Sequence, residues 1–204
     1  MSVSRFSQAI SEGDGISVVP TLDGDVAGLA AAAEAGGAEA VAVRSEDDAE
    51  IARERTSLPI LVREPGSEIG AGDAYVVVFE WVAGEEGLLE EVNARLQESG
   101  VECVVDVHDD EELRGALERI DPDVVFISRR TNGSDEEELE RTLDLLPDVP
   151  AGKLVIAESA ILAREQVLAL ERAGVDALVV RDLGALPDFG HALLDLVGGT
   201  QPGR

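Results

Sequence analysis

Apolar residues recur along this chain in short blocks, each about one strand long, separated by segments whose apolar positions have helical spacing. A first helix is expected at 4–11, with a break at Gly13-Asp14-Gly15, and a strand at 16–19 is expected to end at Pro20. An alanine-rich helix at 25–35 starts on an Asp and stops at Gly36-Gly37. A strand at 39–43, a helix at 46–55 and a strand at 58–62 follow. The alternation then lapses. Residues 65–73, PGSEIGAGD, hold three glycines and a proline where a helix is due, and predict a loop or a single turn.

From residue 74 the pattern resumes, with a strand at 74–79 and a helix at 87–99 that places Leu88, Leu89, Val92 and Leu96 on one face before Gly100. A strand at 101–107, a helix at 110–119, a strand at 124–127 and a helix at 134–146 come next. The last of these opens as a capping box, with Ser134 at the N-cap and Glu137 three residues on. The stretch 153–161, KLVIAESAI, is a seventh strand that ends abruptly at Glu158-Ser159, and a helix over 162–173 begins at once. An eighth strand at 177–180, a closing helix at 188–197 and a frayed tail at 198–204 complete the pattern.

Eight strands that are apolar on both faces, nearly all followed by helices, predict an α/β protein of the (β/α)8 barrel class. It is expected to be one domain over 1–204, with an N-terminal segment at 1–14 and a shortening around the third helix. A doubly wound open sheet is the alternative, but eight units in 204 residues match the lower size of a barrel. Such folds place their ligands at the C-terminal ends of the strands. Side chains alternate along a strand, so Asp106 shares a face with Val104, and Glu158 with Ile156. Asp106, Glu158 and, from the third strand, Arg63 are therefore candidate catalytic groups at the mouth; ion pairing of rim acids is the plainer alternative. Arg129, Arg130 and Arg181 end the sixth and eighth strands and can hold an anion by forked hydrogen bonds. His108, beside Asp109 and Asp110, reads as a loop or cap residue.

Charge narrows the partners. Against 43 Asp+Glu stand 16 Lys+Arg, a formal net charge of −27, and Lys153 is the single lysine. That balance resembles the acidic surfaces of proteins from salt-loving organisms, and it argues against nucleic acid or an anionic membrane as a partner. It also predicts weaker folding at low salt, where like charges are least screened. No apolar run approaches the length of a membrane span and no signal segment opens the chain, so a cytoplasmic location is expected. Cys103 lies inside an apolar run and reads as core. No metal site and no cofactor are expected, since ligand spacing, a Walker loop and a dinucleotide fingerprint are all missing from the sequence.

The segments VVDVHDDEEL, VVFISRRT, LVIAESAI and AGVDALVVRDLG, in that order, resemble indole-3-glycerol phosphate synthase, with a weaker likeness upstream in EAGGAEAVAV and SLPILVRE. The resemblance implies a barrel that closes an indole ring with loss of carbon dioxide. It implies a substrate-contacting role for Glu158 and a phosphate-contacting role for Ser159. It places the family's strand-five glutamate at Asp106, its strand-three lysine at Arg63, and its Asn-x-Arg at Ser128-Arg129-Arg130. The expected strand-one glutamate and lysine fall at about Val19 and Thr21, and the phosphate-binding glycine and serine at Arg181 and Leu183. Guanidinium is too weak an acid to replace a lysine as proton donor near neutral pH.

Three functions follow as expectations. One is a working synthase. The second is a diverged barrel that binds a small anionic, phosphorylated metabolite with Arg63, Arg130 and Arg181 as anion holders and Ser159 and Ser128 as further binding residues, using Asp106 and Glu158 as acid and base. The third is a non-catalytic binding or regulatory barrel, which rim acids tied up with arginines would favour.

Overall fold

The computed structural model describes residues 4–12, 15–66, 68–129, 134–159 and 164–181. Arg130, His191, the start of the helix expected at 162–173 and the closing helix expected at 188–197 lie outside them. Among the described residues, no helix is long and apolar enough to cross a membrane.

The strands are β1 (Ser17–Pro20), β2 (Val41–Val43), β3 (Ile60–Val62), β4 (Ala74–Val78), β5 (Glu102–Val107), β6 (Val124–Ile127), β7 (Leu154–Ser159) and β8 (Ala177–Val180). All pair in parallel, in the order β1-β8-β7-β6-β5-β4-β3-β2. A bridge between Thr21 and Ala42, with the Leu22 N–H donating to the Ala42 carbonyl at 2.8 Å, closes the ring. The helices are α1 (Arg5–Ser11), α2 (Val26–Ala35), α3 (Glu46–Arg53), α4 (Phe79–Ala83), α5 (Leu88–Glu98), α6 (Asp110–Arg119), α7 (Asp135–Leu145) and α8 (Arg164–Ala173). The protein is a (β/α)8 barrel.

Strand alternation divides the core in two. Val19, Ala42, Leu61, Val76, Val104, Phe126, Ile156 and Val179 fill the barrel interior, and Phe6 and Ile10 of α1 pack against them. That helix stoppers the N-terminal end of the barrel. Ser4 and Ser7 both donate to Glu102 at the start of β5, and the Ser17 hydroxyl donates to the Ile10 carbonyl at 3.2 Å. The intervening residues, among them Val18, Val43, Val62, Val105, Ile127 and Val155, face the helices and meet Leu89, Leu113, Val167 and Leu170. Cys103 belongs to this outer layer and is buried.

Several boundaries shift from the sequence reading, and three of the shifts have a clear physical cause. β1 takes in Pro20 rather than stopping before it: Pro20 is the strand's last residue, paired with Val180. The N–H groups of Ser17 and Thr21 donate to the carbonyls of Asp176, just before β8, and Val180, so alternation aims position 20 at β2, where the seam is a single bridge and a missing N–H costs little. Phe79 leaves the expected strand to open α4, and its side chain packs in the outer core against α6. The third boundary is at β2 and β3, which are three residues each, shorter than expected. The Val41 N–H already donates to the carbonyl of Pro59, which has no N–H of its own to start the β2–β3 ladder earlier.

The connection at 65–73 is non-helical where described, as expected. Its second half is pinned. The Tyr75 hydroxyl donates to Glu46 Oε2 at 2.8 Å and accepts from the Gly70 and Gly72 N–H groups at 2.9 and 3.2 Å, while Glu46 also takes the Ala71 N–H. A methyl carbon at position 72 would lie 2.7 Å from Val62 Cγ2, so glycine is required for this close passage.

Candidate functional site at the barrel mouth

Thr21, Arg63, Asp106 and Glu158 each stand two residues beyond an inward apolar residue: Val19, Leu61, Val104 and Ile156. Ser128 and Arg181 stand likewise beyond Phe126 and Val179. Strand alternation thus carries these six side chains to the C-terminal mouth.

Glu158 is the hub. It is 7% exposed. Its Oε1 lies 2.5 Å from Arg63 Nη2 and 3.4 Å from Arg181 Nε, and its Oε2 accepts the Arg129 N–H at 3.0 Å. Asp106, 5% exposed, accepts the Ser128 N–H on Oδ1 at 3.1 Å. Two successive backbone amides, at 128 and 129, therefore hold the two mouth acids. Burial pushes the Asp106 carboxyl up to about 6, and the nearby Glu158 charge adds to the rise; bonding from Ser128 and the neighbouring His108 pull it back. His108 Nδ1 is 3.5 Å from Ser128 Oγ, and the His108 N–H donates to Glu112 at 2.8 Å.

Hydrogen bonding at this layer is incomplete. Arg63 Nε, Arg181 Nε and Thr21 Oγ1 are buried without a hydrogen-bond partner among the described residues, and Glu158 Oε1 meets its arginines by charge without hydrogen-bond geometry. Buried polar atoms are ordinarily paired, so three idle ones around one mouth are donors in search of an acceptor. Arg63 and Arg181 meet at the Glu158 carboxylate, with Asp106 beside them, and gather two cations at the mouth of an otherwise strongly acidic chain. A carboxyl that titrates near 6 is suited to acid or base work close to neutral pH.

Of the residues singled out in the sequence, Arg63, Arg181 and Glu158 are in mutual reach, and Asp106 joins them with Ser128 beside it. Ser159 stands on the other face of β7 from Glu158, lining a cavity of about 20 Å³ with Leu139, Thr142, Gln166 and Leu170 of α7 and α8. Arg130 lies outside the described residues. Sequence reasoning missed Arg141 of α7, whose Nη1 and Nη2 donate to the His108 and Ser128 carbonyls at 2.8 and 2.6 Å. Carbonyl acceptors leave no residue signature. The part Thr21 plays was open to strand parity, since it stands two positions past Val19.

A profile of the family described as indole-3-glycerol phosphate synthase matches residues 68–186. The indole-3-glycerol phosphate synthase of Acidovorax sp. (strain JS42) is 40% identical over 113 residues, which is 55% of this chain and 42% of that protein. The matched part is thus less than half of that relative's length. Among solved structures, the N-acetylmannosamine-6-phosphate 2-epimerase of Clostridium perfringens superposes with a TM-score of 0.64 at 18% identity, covering 81% of this chain and 86% of that one. The thiamine phosphate pyrophosphorylase of Pyrococcus furiosus does so with a TM-score of 0.62 at 17% identity, covering 89% and 93%. At those identities the likeness is one of fold. The profile match takes in Asp106, Ser128, Glu158, Ser159 and Arg181 and spans more than half of the sequence: this chain belongs to the indole-3-glycerol phosphate synthase family.

Proposed function

We propose that this family member has diverged from the ring-closing lyase reaction and binds a small anionic, phosphorylated metabolite at the mouth of the barrel. The observation that carries the reading is the convergence of Arg63 and Arg181 on Glu158, with the Nε donors of both arginines buried and unmet. An oxyanion set between them would satisfy those donors, and forked guanidinium groups suit carboxylate or phosphate oxygens. Ser128 and, from its place in the sequence, Arg130 complete the proposed holding set; Ser159, turned toward α7 and α8, does not reach it. Asp106 is the proton carrier, because its burial keeps it titrating near neutral pH. Arg63 holds charge but gives up no proton there, which is why the parent reaction is not the one proposed.

One observation favours a second reading, a non-catalytic barrel that serves as a binding or regulatory partner. Glu158 is already engaged by two arginines and an amide, an arrangement that can be an end in itself. Thermal-shift titration in concentrated KCl separates the two. Indole-3-glycerol phosphate, its carboxyphenylamino precursor and inorganic phosphate are the ligands, with Ser159→Ala and Arg181→Ala as variants. A concentration-dependent rise in melting temperature that Arg181→Ala abolishes supports the ligand site. No rise with any of the three, in a folded protein, leaves the second reading standing.

A further inference from the structure

The ladder between β5 and β6 ends at the Val107–Ile127 pair, so the next carbonyls, of His108 and Ser128, have no strand partner. One guanidinium serves both: Arg141 Nη1 reaches the His108 oxygen at 2.8 Å and Nη2 the Ser128 oxygen at 2.6 Å. Its other edge is held by Glu138 Oε2, 3.1 Å from Nε and 2.8 Å from Nη2. Glu138 is itself buried, and its own carbonyl accepts the Thr142 hydroxyl at 2.9 Å. All three nitrogens of Arg141 are thereby committed.

We propose that Arg141 is a positioning residue for both mouth acids, acting through the peptide that joins Ser128 to Arg129. That peptide takes the Arg141 hydrogen bond on its carbonyl and gives its own N–H to Glu158 Oε2 at 3.0 Å. A cation on a carbonyl polarises the amide and strengthens its N–H as a donor. The preceding N–H, of Ser128, binds Asp106 Oδ1 at 3.1 Å, so fixing residue 128 fixes that bond as well. Without the fork, two part-buried carbonyls lose this partner and the strand end loses its tie across β5 and β6. Arg141 touches no proposed ligand atom; its effect runs entirely through the backbone.

The inference rests on the reading of Asp106 and Glu158 as the working acids, but its test needs no ligand. Carboxyl carbon NMR follows the titration of Asp106 in the wild type, Arg141→Met, Arg141→Lys and Arg119→Met. The groups that face Asp106, namely His108 just past β5, Ser128 just past β6 and Glu158 on β7, are followed in the same samples. Arg119 forms a bidentate pair with Glu90 at 2.7 and 2.8 Å away from the mouth, and serves as the control for loss of a clamp. Arg141→Met is expected to raise the Asp106 midpoint by about half a unit or more, because the bond favouring its charged form is loosened. Arg141→Lys should fall between, and Arg119→Met should leave the midpoint unmoved while lowering the melting temperature. A destabilised Arg141→Met with an unmoved Asp106 midpoint overturns the proposal, and if that variant does not fold, Arg141→Gln is read in the same way. A wild type that binds none of the three ligands, yet shows the Arg141-dependent midpoint, sinks the ligand reading and keeps this one. Ligand binding with no Arg141 dependence does the reverse.

Discussion

The two sides of the barrel are held unequally. From β4 through β8 to β1, each pair of neighbouring strands is in register over four or five positions. From β1 through β2 and β3 to β4 the seams shrink to one bridge, three positions and two. The family match begins at residue 68 and so covers the well-laddered side from β4 to β8. Both mouth acids, and the amides that hold them, come from that side; Thr21 and Arg63 come from the thin one. A carboxylate that must sit buried at a fixed height needs a strand end that cannot slip, and long ladders provide it. The thin side supplies a long, adaptable guanidinium instead, and there the resemblance implies the exchange of a lysine for Arg63.

The largest expected effect lies at the hub. Glu158→Ala leaves two part-buried guanidinium groups without their shared counter-charge and should cost about 3 kcal/mol in chemical denaturation, the low end for breaking a buried pair. Arg63→Met, on the thin side and with a partly exposed side chain, should cost clearly less; equal losses would break the comparison. Next comes the pH dependence of Asp106. Its folded midpoint of about 6 lies above the reference 3.8, so the unfolded chain gives up its proton first as pH rises. Stability relative to Asp106→Asn should therefore fall by about 3 kcal/mol between about pH 4 and pH 6 and be flat above, as measured by paired denaturant titrations. A relative stability that rises across that window would contradict the burial argument.

Hydrogen exchange sharpens the contrast between the sides directly. Amides of β2 and β3 should open at a free energy about 1 kcal/mol or more below those of β5 and β6, because fewer ladder bonds must break. The smallest effect concerns Cys103. Its burial pushes the thiol up to about 12, so alkylation of the native protein near neutral pH should be undetectable beside that of the unfolded chain.

Much of this architecture could be read from residue order. Apolar blocks of strand length, the capping box of Ser134 and Glu137, and the glycine-rich interruption at 65–73 all have local physical causes, and each is found in the structure. Strand parity likewise placed Arg63, Asp106 and Glu158 at one mouth. What escaped depends on distant partners. Pro20 stays in its strand because the neighbouring seam happens to be weak, and Phe79 turns into α4 because α6 offers it a place to pack. Arg141 carries no signal in residue order, since its partners are two carbonyls and a glutamate that the fold alone brings together.

The most direct test of the mouth as an anion site is proton–nitrogen NMR of the arginine Nε–H groups while inorganic phosphate is titrated into the protein in concentrated KCl. The account predicts saturable shifts at Arg63 and Arg181, with Arg119, paired to Glu90 outside the mouth, unmoved. Phosphate that leaves Arg63 and Arg181 unshifted, or that shifts exposed arginines equally and without saturation, would contradict it.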